Sequence, residues 1–356
     1  MQKYRGCLSD LRFDSQESLG RRKNNLPEER FFREIADPFS LDEDKKLRLS
    51  KAYRRLEGKT QVFYAPDTPY ARTRMTHTGE VLSLASFISD ILGFNSPLCR
   101  AIALLHDLGH VPFGHLGERF LTEKLGQKFR HNMFSLVVSE MIERKGGGLN
   151  LCFETLEGAY HHSGGLNNLD SALPQEYAVA KIADKVSYTL SDFNDACRMG
   201  YIESRSFLFD KLGSSQRERT RNIILSLLKE SKEKGRVSFE ESEESKVFNE
   251  AREYMFSHVY SKADEEIDFT VLENGYSFIE NSPFLNTCRS PIIFSLLTEK
   301  EVEFFAKLYK EENYRLEEIE KTGVLEILPK KDIPVKDFSS FPFKKEEFSK
   351  KKSTCK

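Results

Sequence analysis

A mainly α fold is predicted by three observations. Apolar residues recur at helical spacing along most of the chain, strand-like alternation is scarce, and Gly93, Ser96-Pro97 and Gly146-Gly147-Gly148 punctuate the periodic stretches. Val81, Leu84, Ala85, Ile88, Ile91 and Leu92 follow 3,1,3,3,1 spacing and form one apolar stripe. Gly93 stops that helix, and Ser96-Pro97 starts the next, which runs through Ala101, Ile102, Leu104 and Leu105 to His106. Phe134, Val137, Val138 and Met141 mark another helix, closed by the triple glycine. Within 176–198, Ala183, Val186, Leu190, Phe193 and Cys197 step by 3,4,3,4. Further helices are expected over 217–229, 246–260 and 300–319. Residues 61–64 and 324–328 read as short extended pieces, and 229–246 as a charge-dense surface excursion. From Pro329 onward the chain is rich in Lys, Ser and Pro with isolated Phe, which reads as partly disordered.

The expected organisation is an N-terminal arm (1–50), a helical core (51–200), a C-terminal helical region packed on it (201–328) and a charged, flexible tail (329–356). With 356 residues the chain is long enough to bury a substantial core. Lys+Arg number 54 against 56 Asp+Glu, a net charge of -2, so binding of nucleic acid through bulk charge is not indicated. The basic clusters Arg21-Arg22-Lys23, Arg54-Arg55 and Lys350-Lys351-Lys352 read as solvated surface. Six scattered cysteines with no Cys-x-x-Cys pair argue against a disulfide framework or structural zinc module and fit a reducing compartment. No apolar run is long enough to span a bilayer, and no signal region follows Met1. A soluble cytoplasmic protein without a membrane partner is expected.

Three of the eight histidines lie between His106 and His115, with Asp107 and Glu118 among them. An apolar helix therefore delivers an adjacent imidazole and carboxylate to a buried end, a placement that needs compensation such as a metal. One helix face offers at most two or three ligands, so further ligands must converge from elsewhere. His77 begins the helix whose stripe starts at Val81, and Asp184 sits in the amphipathic stretch 176–198. His77, His106, Asp107 and Asp184 would make a mixed N/O site for Mn, Mg, Fe, Co, Ni or Zn. His115 and Glu118, three apart, share a helical face, and the carboxylate would orient the ring for proton transfer; the bland reading is a surface pair. Asp184, Tyr188 and Asp192 step by four along one face. Gly58-Lys59-Thr60 lacks the upstream glycine of a phosphate-binding loop, because Tyr53 stands there. His161-His162 is not expected to be a metal pair, since adjacent residues on a regular element point apart.

The chain resembles the HD-domain superfamily, and more closely the deoxynucleoside triphosphate triphosphohydrolases: the bacterial dGTPase family and the animal dNTPase that joins an HD domain to a SAM domain. The carrying blocks are Arg54-Arg55-Leu56-Glu57-Gly58-Lys59-Thr60-Gln61-Val62 and the run from His106 to Glu118, which reads His-Asp-x-Gly-His-x-Pro-Phe-Gly-His-x-Gly-Glu. Further matches include Phe129-Arg130-His131-Asn132 and His161-His162-Ser163-Gly164, and a weaker one from Arg252 to Tyr260 carries the resemblance over about residues 15–260. The resemblance implies His77, His106, Asp107 and Asp184 as metal ligands, and action of His115 with Glu118 at the α-phosphate. It implies triphosphate contacts from Arg74, His110, His131 and Lys185. It also implies deoxyribose contacts from Gln61, Tyr188 and Asp192, and a loop wall near the nucleotide at His161-His162.

The activity so implied is metal-dependent hydrolysis of a dNTP, dGTP among them, to deoxynucleoside and inorganic triphosphate, by a homo-oligomer. Two other readings stand beside it. One is another HD-superfamily phosphohydrolase acting on a nucleoside monophosphate or cyclic nucleotide. The other is a regulator that binds a nucleotide or single-stranded nucleic acid without turnover.

Overall fold

The computed structural model describes residues 2–23, 36–64, 70–166, 169, 171–202, 207–285, 288–311, 315–330, 332–333 and 337–348. The helices that build the molecule are α1 (Lys51–Arg55), α2 (Arg74–Leu92), α3 (Ser96–Leu105), α4 (Gly114–Leu125), α5 (His131–Val137), α6 (Phe153–His161) and α7 (Gln175–Arg198). They continue as α8 (Phe207–Leu212), α9 (Gln216–Lys234), α10 (Glu243–Met255), α11 (Phe269–Asn281), α12 (Ser290–Leu296), α13 (Glu299–Glu311), α14 (Leu316–Glu320) and α15 (Val324–Ile327). Among the described residues the only β pairing is an isolated antiparallel bridge between Thr60 and Thr73. The fold is all-α, as predicted.

α3 lies at the centre, packed by α2, α6 and α7. Its Leu98, Ile102 and Leu105 enter one hydrophobic core with Phe153 and Leu156 of α6. Cys99 and Ala103 enter a second core with Val81, Ala85 and Ile88 of α2 and Ile182, Val186 and Leu190 of α7. A helix covered on all sides must be apolar all round, which accounts for the run ending at Leu105. Caps set the boundaries. Thr73 and Thr76 exchange hydrogen bonds in a capping box at the start of α2, and Gly93 ends it at φ 92°. Asn95 caps α3, with Pro97 in its first turn.

Several local expectations are corrected. Residues 61–64 form bends rather than a strand. Residues 324–328 contain the helical turn α15, because Val324, Ile327 and Leu328 reach the core together at i, i+3, i+4 spacing. The charge-dense stretch is anchored: α9 extends to Lys234, and Val237 and Phe239 are buried behind it. Glu230 holds that turn by accepting from Ser238 Oγ and the N–H groups of Glu240, Glu241 and Ser242. The tail phenylalanines Phe338, Phe343 and Phe348 are buried, with Phe338 stacked on Phe129 and Phe348 edge-on to Phe153. Their aromatic area ties the segment down despite its charge.

The N-terminal basic cluster is not simply solvated. Arg21 is buried, bonds to Asp42 and donates to the carbonyl of Asn150, while Arg22 pairs with Glu140. Arg55 bonds to Glu301. Lys350-Lys351-Lys352 lies outside the described residues. Among the described helices none is long and apolar enough to cross a membrane.

Candidate active site

The first turn of α2, the C-terminal end of α3 and the middle of α7 converge on one buried point. His106 caps α3, and its Nδ1 lies 2.6 Å from the carbonyl oxygen of Ala103. That acceptor assigns the ring proton to Nδ1 and leaves a lone pair on Nε2, which is buried without a hydrogen-bond partner. His77 Nε2 stands 3.1 Å from Asp184 Oδ1, and His106 Nε2 stands 3.7 Å from the same oxygen. Asp107 Oδ1 is 3.6 Å from His106 Nε2. The ligand atoms of His77, His106 and Asp107 all lie within 4.8 Å of one another. Ligands about 2.0–2.2 Å from a shared divalent ion stand roughly 3–3.5 Å apart, a spacing that the contacts of 3.1, 3.6 and 3.7 Å among these groups approach.

Each carboxylate is divided in the same way. Arg74 Nη1 donates to Asp107 Oδ2 at 2.9 Å, and Lys185 Nζ donates to Asp184 Oδ2 at 2.9 Å. The cations thus hold the outer oxygens and leave both Oδ1 atoms facing the imidazoles. Burial raises both carboxyl groups, but the surrounding positive groups outweigh it. His106 and Arg74 hold Asp107, and Lys185 and His77 hold Asp184, well below the usual carboxylate range. Burial lowers the His106 imidazole from its ordinary value.

Glycine explains the spacing of the His-Asp-x-Gly-His run. A Cβ at Gly109 would stand 2.1 Å from the backbone nitrogen of Ser135, so only glycine lets α5 approach. Ser135 Oγ then accepts from Gly109 N–H and donates to the carbonyl of His106, each at 2.8 Å. The chain turns through Phe113 at φ 61° and Gly114 at φ 53° into α4, which presents His115 and Glu118.

Glu118 is shared. Its Oε2 lies 3.2 Å from His115 Nδ1, and its Oε1 accepts from His131 N–H at 2.6 Å and lies 2.8 Å from His131 Nδ1. Burial raises Glu118, yet the His131 charge and the His115 bond outweigh it and hold the group ionised. His110 stacks on His131 with ring centroids 4.3 Å apart. His115 is 55 % exposed and stands at the mouth of the cleft.

Further along α7, Tyr188 Oη accepts from Arg252 Nε at 3.0 Å, and Asp192 Oδ2 accepts from Tyr260 Oη at 2.9 Å. Burial pushes Asp192 up to about 7. The Gln61 carbonyl accepts from Arg74 Nη2 at 3.1 Å, while its buried Oε1 has no partner. All thirteen residues singled out in the sequence except His106 and Glu118 line one cleft. Glu118 bonds His115 and His131, which do line it, and His106 Nε2 faces Asp107 and Asp184.

The cleft is also lined by Arg252, Tyr260 and His162, which were not singled out as functional. Arg252 and Tyr260 belong to the weakly matched stretch, and their partners on α7 are what bring them in. His162 was read as a loop wall beside His161, yet it is buried at the end of α6 with its ring 5.0 Å from that of His106. The signal available was its place in the same C-cap position that His106 takes on α3.

The HD domain matches residues 74–189, a span that opens at Arg74 and holds His77, His106, Asp107 and Asp184. A deoxyguanosinetriphosphate triphosphohydrolase-like protein of Caldanaerobacter subterraneus subsp. tengcongensis is 38% identical over 286 residues, covering 77% of this chain and 80% of that protein. The chain belongs to this HD-domain family. A family member of the same description from Clostridium perfringens strain 13 is 34% identical over 303 residues, 80% of this chain and 86% of that protein. One from Clostridium tetani is 37% identical over 236 residues, 64% and 67% of the two chains. The HD-domain family consists of phosphohydrolases that bind divalent metal, and the His/Asp groups of this chain are positioned to hold one.

Proposed function

We propose that the protein hydrolyses deoxynucleoside triphosphates, dGTP among them, to the deoxynucleoside and inorganic triphosphate in a divalent-metal-dependent reaction. The observation that carries this reading is the lone pair of His106 Nε2, buried and unpaired, facing the two Oδ1 atoms that Arg74 and Lys185 leave free. A divalent cation held by His77, His106, Asp107 and Asp184 would acidify a bound water and polarise the α-phosphoryl group.

The chain's own groups do the rest. A triphosphate brings close to four negative charges, and Arg74, Lys185, His110 and His131 stand together to receive them. His115, oriented by Glu118, donates a proton to the departing 5′-oxygen as water adds to the α-phosphorus. Glu118 is ionised and bonds both His115 and His131, so it links the proton donor to the phosphate-facing ring. Tyr188, Asp192 and Gln61 would face the deoxyribose, where a close fit excludes a 2′-hydroxyl. Arg252 and Tyr260 hold the first two of these in place.

The test is product identification with Mn(II), each dNTP and GTP. Inorganic triphosphate and deoxynucleoside in equal amounts support the reading; orthophosphate or pyrophosphate as the first product overturns it.

A further inference from the structure

We infer that Phe256 is the residue on which the nucleobase stacks, and that it takes purines more tightly than pyrimidines. This deepens the proposed function and rests on its placing of the deoxyribose at Tyr188 and Asp192.

A second ladder of side chains faces the one on α7. Arg252, Phe256, Tyr260 and Asp264 step by four, and all of them line the cleft. In an α-helix each four-residue step drifts about 40° around the axis, so such a row soon leaves one face. Here α10 ends at Met255 and the chain continues as a π-helical turn, Phe256–Tyr260, whose wider winding turns back against that drift. Two rungs are tied to α7. Arg252 Nε donates to Tyr188 Oη at 3.0 Å, and Tyr260 Oη donates to Asp192 Oδ2 at 2.9 Å. Asp264 pairs with Arg119 of α4 at 2.9 Å. Phe256 is the rung between the two braces.

Its exposure calls for a flat apolar partner. The neighbouring Met255 and Val259 are fully buried, whereas Phe256 stays 44 % exposed in the cleft wall. The ring is held in place. Tyr260 meets it edge-on, with centroids 5.0 Å apart at 87°, and the Arg252 guanidinium lies 5.8 Å from its centre. Both holders are themselves bonded to α7, so the ring is set in advance of binding. The cleft also runs on past it. Gly165, Arg252 and Phe256 line an adjoining hollow of about 270 Å³ that also meets Asn249 and Glu253. A base joined to a sugar between Tyr188 and Asp192 meets this ring one four-residue step, about 6 Å, from either brace. An aromatic face accepts every base, and a two-ring purine covers more of it.

The test uses dGTP and dCTP analogues whose 5′-oxygen is replaced by methylene, which the proposed cleavage cannot break. Inorganic triphosphate serves as the probe without a base. Affinities for the full chain with Mn(II) are measured by calorimetry. Phe256→Ala should weaken the dGTP analogue by about 5- to 150-fold, the worth of one base–aromatic stack, and the dCTP analogue by less. Inorganic triphosphate should bind as before, and Phe256→Tyr should restore both nucleotides. Phe256→Leu keeps the bulk without a π face and should repeat the loss, which serves if the alanine variant does not fold. An unchanged dGTP affinity, or an equal loss for inorganic triphosphate, overturns the stacking role and leaves the hydrolase reading standing. An equal loss for the two nucleotides overturns the purine preference alone. Base-dependent losses in a protein that turns over no dNTP overturn only the reaction. No nucleotide binding by the unaltered protein overturns both.

Discussion

Glu299, the first residue of α13, accepts the backbone N–H of Phe113 at 3.0 Å across the molecule. The same oxygen accepts from the N–H and hydroxyl of Thr60 at 3.2 and 3.3 Å. Phe113 sits in the left-handed region that costs a non-glycine residue energy, midway between His110 and His115. Beside it, buried Lys59 donates to the carbonyls of His110 and Ser295. The C-terminal helices thus hold the turn that aims two of the cleft histidines. Removing a buried acceptor with three donors costs about 1–3 kcal/mol or more. Glu299→Ala is expected to lower Tm and kcat together, with Glu299→Gln recovering much of both. Unchanged kcat in a folded Glu299→Ala would show that the turn holds itself.

Arg74 and Lys185 bond the carboxylates of Asp107 and Asp184, and through them would act on a metal held there. Losing a partner of a metal ligand weakens metal binding by about 10–100-fold. Arg74→Met and Lys185→Met should each show that loss in a Mn(II) titration carried out without nucleotide. Equal affinity would leave both residues with a substrate role only.

Chelation should abolish turnover, and Mn(II) should restore it. His106→Ala should remain inactive after the same addition, because no other group replaces its Nε2 at the centre.

His115 is more than half exposed and is not among the four converging ligands. His115→Ala is therefore expected to keep full metal content while kcat falls by about 10²–10⁴-fold, the usual worth of a positioned proton donor. Loss of bound metal in that variant would reassign it.

Asp192 is buried, and burial lifts its carboxyl to about 7. Between the ordinary carboxylate value and about 7, the folded chain holds a proton that the unfolded chain has released. Stability therefore falls as pH rises through that window, and the cost is complete above about 7. In the metal-free protein Asp192→Asn should raise stability, and Tm with it, more at pH 8 than at pH 4, by a few kcal/mol at about 1.4 kcal/mol for each pKa unit. Thermal melts at the two pH values check it, and an equal gain at both would place the unfavourable charge elsewhere.

Local order along the chain delivers one set of side chains without help from distant partners. The stripe from Val81 to Leu92, the apolar approach to His106 and the four-residue steps of Asp184, Tyr188 and Asp192 are properties of single helices. Periodicity and caps encode them within a few turns. Tertiary structure decided the rest, because those features depend on partners far along the chain. Which oxygen of Asp107 faces inward depends on Arg74, and which nitrogen of His162 meets His131 depends on the end of α6. The tail phenylalanines read as disordered beside so many lysines, and only the apolar surface offered by Phe129 and Phe153 settles them. The bond from Glu299 to Phe113 spans 186 residues, and no local pattern announces it. A side chain's identity and its helical face are local facts, whereas its tautomer, its free lone pair and its charge are set by whatever packs against it.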